Sequence, residues 1–198
     1  RRRKIQVQYN YDFEIASLLI MAIILLHFAF IRQFPVDKTK IFGVLLMTCT
    51  AECCANILSC IGLANAAFVP QAVNEVLAFA FFVLEGLASY LLFRYFLVVC
   101  EFKDIEKKVV SVIGTIPYVL FTLMVIATPF IGFFYYFKDG VYYQGFGAWT
   151  GYVYIIYYFV LDLFLMLYKY RVINLRTKII IIIYLLVAVS MVLLQFRV

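Results

Sequence analysis

Thr128-Pro-Phe-Ile-Gly-Phe-Phe-Tyr-Tyr-Phe-Lys-Asp-Gly-Val-Tyr-Tyr-Gln-Gly-Phe-Gly-Ala-Trp149 interrupts a chain that is otherwise a succession of apolar runs. Its Gly, Pro and aromatic content is too high to continue a helix. Asp139-Gly140 is a two-residue hairpin signal, because both central positions of a type I′ turn need positive φ. A turn there pairs Phe137 with Tyr142 and Tyr135 with Gln144. One face of the ribbon then carries Phe133, Tyr135, Phe137, Tyr142 and Phe146. The other carries Phe134, Tyr136, Val141 and Tyr143. Amphipathic rings of this kind settle at a membrane–water boundary. Two readings of the ribbon stay open. One is an aromatic interface loop without a ligand. The other is a lid over a helix bundle, built from Tyr135, Tyr136, Asp139, Gly140, Tyr142 and Tyr143.

The flanking runs set the fold class. Of the 198 residues 67% are hydrophobic and 14% charged, and the mean hydropathy is +1.02. Soluble domains carry about 25% charged and about 45–50% apolar residues. A soluble fold of this length has no way to hide so much apolar surface. The Leu, Ile and Phe runs lack the polar–apolar alternation of barrel strands, so the expectation is an all-α integral membrane protein. The net charge of +6 sits in loops and at the N-terminus. In a membrane protein that is an orientation signal before it is a nucleic-acid signal, and no nucleic-acid partner is expected. The lipid bilayer is the first partner. Cys49, Cys53, Cys54, Cys60 and Cys100 all fall inside apolar runs, which argues against a disulfide framework. Arg1–Lys4 before an apolar run resembles a signal peptide, but the run is too long and no small-x-small cleavage site follows.

Six stretches are long enough to span, over residues 12–32, 41–63, 71–100, 109–131, 149–169 and 179–198. Lys and Arg gather in loop one (Arg32, Lys38, Lys40), loop three (Lys103, Lys107, Lys108) and loop five (Lys169, Arg171, Arg176, Lys178). Loop two has none and loop four only Lys138. The positive-inside rule then places loops one, three and five in the cytoplasm and the N-terminus outside, against the Arg1–Lys4 cluster. The hairpin lies outside. Residues 1–198 read as a single transmembrane domain that ends in an apolar run. The expectation is a piece of a longer chain whose seventh helix returns to the cytoplasm. Pro129 is expected to end the fourth helix.

Charged groups within the hydrocarbon cost about 2.5–3.5 kcal/mol each on insertion scales, so each asks for a reason. Glu52 lies on a helical polar stripe with Thr48, Cys49, Asn56, Ser59 and Cys60. Glu85 shares a face with Glu75, Ala78, Phe82 and Ser89. Asp162 lines up with Tyr154 and Tyr158. His27, the only histidine, lies in the inner half of the first helix. At about 1.5 Å per residue, Glu85 and Asp162 both fall about 20 Å below the outer helix ends, with Glu52 near the same level. Glu52, Asn56, Glu85, Asp162 and His27 are therefore the candidates for ligand binding or proton sensing. The competing reading is that the acids hydrogen-bond between helices and hold the bundle together. Arg94 is expected to snorkel to the inner surface. The cysteine group reads as a small-residue helix contact rather than a metal site. No metalloprotease, nucleophile-elbow or P-loop motif is present, and no lysine lies within a span for a Schiff base. No catalytic residue, cofactor or metal is expected.

Pro129, Phe130, Gly132, Phe133–Phe137, Asp139-Gly140, Tyr142-Tyr143 and Gly145, followed by Gly151-Tyr-Val-Tyr-Ile-Ile-Tyr-Tyr, resemble a family pattern. It is that of the N-terminal multi-span membrane region of Gram-positive bacterial GGDEF-type diguanylate cyclases. That region is itself similar to seven-helix input domains of histidine kinases. Tyr9-Asn10-Tyr11 before the first helix fits as well. The resemblance implies a sensor in the bacterial cytoplasmic membrane, a seventh helix, and a cytoplasmic domain that makes cyclic di-GMP. A homodimer formed through the parent chain is expected as well. The expected function is then a signal-input module that takes an unidentified small ligand beneath the hairpin. The excess of interior acid favours a cationic ligand or a protonation signal. A small proton-coupled permease and a purely structural anchor are the alternatives.

Overall fold

The computed structural model describes residues 12–30, 36–66, 68–138 and 141–171, with side chains described from 15 to 26 and, within those ranges, from 39 onward. The elements are α1 (Asp12–Phe30), α2 (Val36–Ala64), α3 (Gln71–Val99), α4 (Asp104–Ile131), the strands β1 (Tyr135–Lys138) and β2 (Val141–Gln144), and α5 (Ala148–Tyr168). Among the described residues, four helices (α2 to α5) are long and apolar enough to cross a membrane. The sixth apolar stretch, 179–198, lies outside the described residues, as do Arg1–Lys4 and Tyr9–Tyr11.

Two helices start earlier than their hydropathy suggests. α2 begins at Val36, so Lys38 and Lys40 are helical rather than in a loop. α4 begins at Asp104, with Asp104 and Glu106 in its first turn. Carboxylates there complement the positive end of the helix dipole, so the charged prefix is a good helix start. At the other end α4 runs past Pro129. It stops at Gly132, whose φ of 65° is the left-handed cap and whose N–H donates to the Thr128 carbonyl at 2.8 Å. Pro129 does not stop the helix where it stands: the turn continues through Ile131, and the left-handed glycine makes the stop.

α3 is the centre of the bundle. It packs against α2 on one side and against α4 and α5 on the other. The second contact is built from rings. Tyr154 stacks on Phe121 at 4.0 Å between centroids, Tyr90 on Tyr118 at 4.3 Å, and Tyr158 meets Tyr154 edge-on at 4.9 Å. Glycines make room for these rings. A Cβ on Gly86 would sit 2.7 Å from the Phe121 ring, and one on Gly114 would enter the Phe93 ring. The tyrosine hydroxyls then reach the backbone that those glycines expose. Tyr154 Oη donates to the Gly86 carbonyl at 2.8 Å, and Tyr158 Oη donates to the Gly114 carbonyl. An interior phenol needs such an acceptor, because an unmade hydrogen bond costs about 1–3 kcal/mol.

At the far end of the bundle from the hairpin, α5 is tied back to α4. Lys169 Nζ donates to Glu106 Oε2 at 2.8 Å and lies 4.8 Å over the Phe102 ring. The hydrogen bond to Glu106 raises the pKa of Lys169 above its ordinary value, so the clamp stays charged at neutral pH. Glu101, next to it in the connection, holds a φ of 48°, a left-handed conformation rare for a residue with a side chain.

Gly114→Ala is expected to destabilise the bundle by about 1–3 kcal/mol, the usual penalty of overpacking. The fully buried Phe93 ring has no free space to move into. Thermal unfolding in detergent measures it. An unchanged midpoint would refute the close α3–α4 approach.

Candidate functional site

The hairpin forms with the expected register, Tyr135 opposite Gln144 and Phe137 opposite Tyr142. Tyr135, Phe137 and Tyr142 share one face, and Tyr136 stacks on Tyr143 at 5.3 Å on the other. Asp139 and Gly140 lie outside the described residues. One face assignment changes. Phe134 belongs with Tyr135 rather than with Tyr136, because it precedes the strand in a bend where side chains no longer alternate. Both rings enter the bundle and stack on Phe82, Phe134 at 5.0 Å and Tyr135 at 5.7 Å. Phe134 also meets Phe121 at 5.2 Å.

The base of the hairpin is therefore a plug between α3 and α4. Tyr135 Oη donates to the Glu75 carbonyl at 3.2 Å. Burial first, and then the Glu75 and Tyr142 charges, push its pKa up to about 12. The hydroxyl remains a donor across the physiological range. Its contribution is intact below about 10, the ordinary tyrosine value, and is lost only as pH rises through the raised one. The return strand is tied down by backbone: Gly145 N–H donates to the Phe134 carbonyl and Gly147 N–H to the Phe133 carbonyl, each at 2.8 Å. A Cβ on Gly145 would strike the carbonyls of Gly132 and Phe133, so glycine is required there.

The interior acids do not gather at one point. Glu52 on α2 and Glu85 on α3 lie within electrostatic range of each other. Asp162 sits much nearer the Lys169 end. The expectation of a common depth assumes that α3 and α5 start level, and they do not. Tyr154 reaches Gly86 and Cys100 Sγ reaches the Leu165 carbonyl, offsets of 68 and 65 positions. Asp162 and Glu85 are 162 − 85 = 77 positions apart. Asp162 is therefore displaced from Glu85 along the axis by roughly ten residues, about 15 Å at the helical rise. α3 is 29 residues long and α5 only 21, and α3 overhangs the start of α5 at the hairpin end.

The surroundings of each candidate differ. Glu85 Oε2 is buried and has no hydrogen-bond partner among the described residues. Asn56 Oδ1 accepts from Cys60 Sγ at 3.8 Å along the same helix. Thr48 on that stripe is satisfied by its own helix, donating to the Val44 carbonyl at 2.9 Å. Asp162 is 0% exposed, and neither carboxyl oxygen has a partner among the described residues. Tyr154 and Tyr158 stand two turns and one turn before it, both buried, as their spacing predicts. His27 lies in α1, with its side chain outside the described residues. Arg94 donates to Tyr90 Oη at 3.2 Å, and that oxygen contacts Thr115 Oγ1 at 3.3 Å. The guanidinium thus joins a network between α3 and α4. The five cysteines remain thiols, with no disulfide among them. Among the described residues no three His, Cys, Asp or Glu side chains come together as a metal site.

Sequence reading passes over Asn74. It is 2% exposed, and its Oδ1 is unpartnered among the described residues and packs where a Cβ of Gly62 would be. It marks the close approach of α2 and α3 at the hairpin end. Its spacing of eleven from Glu85 puts both on one stripe of α3, and that is the signal that finds it. No protein-family model, curated protein or solved structure matches the chain.

Tyr135→Phe keeps the ring stack on Phe82 and removes one hydrogen bond. It is expected to weaken hairpin docking by about 1 kcal/mol, read as faster amide exchange at Tyr143 and Gly145 with the helices unaffected. Unchanged exchange would show that the hydroxyl does not hold the plug.

Proposed function

We propose that the chain is a membrane-embedded signal-input module of a bacterial signalling protein. In this reading α1 to α5 and the apolar stretch 179–198 span the cytoplasmic membrane, with the N-terminus and the hairpin outside. The observation that carries it is the Glu52–Glu85 pair, two acids within electrostatic range of each other across α2 and α3, with a buried Glu85 oxygen unpartnered among the described residues. Two carboxylates within range of each other in an apolar bundle stay there only if a proton or a cation relieves the repulsion. Such a pair is a sensor's natural two-state element. Binding pulls α2 and α3 together, and release drives them apart.

The hairpin supports the same reading. Phe134 and Tyr135 close the α3–α4 side above the pair, so a ligand from outside approaches from the α2 side, past Asn74 and Gly62. The output would be a cytoplasmic domain of a longer parent chain. The family resemblance names that domain as a diguanylate cyclase, acting as a homodimer.

The test uses the full-length parent. Glu85→Gln and Glu52→Gln, each removing the repulsion at constant shape, are expected to shift cellular cyclic di-GMP by several-fold and to abolish its response to external stimulus. Unchanged output with unchanged response would end the site assignment. Preserved regulation after exchange of the whole region for an unrelated multi-span anchor would end the sensor reading.

A further inference from the structure

Asp162 is the one carboxylate among the described residues that is wholly enclosed and has both oxygens unpartnered. Its face of α5 also carries Tyr158, Leu165 and Met166, all buried. Polar groups on the elements packed against it have other engagements. On α3, Arg94 is held by Tyr90, and Cys100 Sγ points to the Leu165 carbonyl. On α4, Thr115 donates to the Ser111 carbonyl and Tyr118 stacks on Tyr90. On α5 itself, Tyr158 lies within electrostatic range of Asp162, but its proton is committed to the Gly114 carbonyl. Lys169, two turns on, is engaged with Glu106. No described cation or donor reaches Asp162.

The size of the space selects the ligand. Two surface cavities open at this end of α5, of about 490 and about 340 Å³. The first is lined by Leu167–Arg171 and the second by the α4 start with Phe164, Leu165 and Tyr168, and neither includes Asp162. A metal ion needs several oxygen or nitrogen donors around it, and an ammonium group needs volume. The carbonyls that Gly86 and Gly114 expose are already taken by tyrosines. A proton needs neither donors nor volume.

We propose that Asp162 is a proton-binding site of the bundle. In the packed arrangement its carboxyl is the neutral acid. On release the O–H bond breaks heterolytically, the electron pair stays on the carboxylate, and the proton passes to water at the Lys169 end, roughly 10 Å away along the helix. The carboxylate left behind has no counter-charge, so the α3–α4–α5 contact opens at that end to hydrate it. The inference goes beyond the sensor reading, which rests on Glu52 and Glu85, and it holds whether or not an output domain responds.

The test uses infrared difference spectra and thermal unfolding of the full chain in nanodiscs, over a pH series. The parent for both readouts is Glu52→Gln/Glu85→Gln, so that the other two interior acids contribute nothing. It is expected to show a protonated-carboxyl C=O band at neutral pH that adding Asp162→Asn removes and adding Tyr158→Phe keeps. The unfolding midpoint of this parent is expected to fall as pH rises, because only the neutral acid is tolerated, and that of the Asp162→Asn variant to lose this fall. If the band is absent at neutral pH, or survives Asp162→Asn, the proposal is overturned. It is overturned equally if Asp162→Asn, correctly folded, loses stability with pH as its parent does. These readouts do not involve signalling output, so their failure leaves the sensor reading standing. A normal band beside an output indifferent to Glu52 and Glu85 would do the reverse.

Discussion

The rest of the structure depends on where two phenol hydroxyls find acceptors. Tyr154 and Tyr158 are buried in an apolar interior, so each needs a partner on a neighbouring helix. Helix carbonyls are normally screened by side chains. Gly86 on α3 and Gly114 on α4 remove that screen, and the two tyrosines donate to the carbonyls of these glycines. The same absence of Cβ lets Phe121 and Phe93 close on the helix backbone. One residue choice thus settles both polarity and packing. It also fixes the sliding position of α5 against α3 and α4, which pure hydrophobic contact, being non-directional, does not.

That sliding position distributes the acids. With α5 set low against α3, Asp162 falls near the Lys169 clamp, while Glu85 stays opposite Glu52 nearer the plug. Two separate charge problems result, with different solutions. Glu52 and Glu85 lie within electrostatic range of each other, and in the proposed reading a shared proton or cation relieves their repulsion. Asp162 is a solitary group whose enclosure leaves it no partner among the described residues. A bundle with level helix starts would have placed all three acids together, and the chemistry available would have been that of a cation cage.

Much of the fold is legible in the sequence because its signals are local. The helices α3, α4 and α5 follow from apolar run length, and the β1–β2 register follows from Asp139-Gly140 once the ribbon is assumed. The early starts of α2 and α4 are less visible, since charged prefixes such as Val36-Asp37-Lys38 and Asp104-Ile105-Glu106 suit a loop and a helix N-terminus equally. The candidate residues are legible as types, because an acid in an apolar run stands out. Their mutual placement is not. It turns on the α3–α5 offset, which is set by Tyr154 meeting Gly86 across 68 positions, and single-sequence patterns carry no information at that separation. Asn74 is half legible: its spacing from Glu85 marks the stripe, but the opposing Gly62 that it packs against is not visible from that spacing.

The short return from the hairpin has a mechanical consequence. Gly145 and Gly147 bond back to Phe134 and Phe133, and Gly132 caps α4 directly before them. The end of α4, the ribbon and the start of α5 are thereby welded into one rigid bracket. α4 and α5 cannot swing apart there like the arms of a hinge. At the opposite end no loop connects α4 to α5, and the Lys169–Glu106 ion pair joins the two helices. The pair of helices behaves as a spring clip, continuous at one end and held at the other by a latch of two side chains, with Asp162 on the latched half of α5.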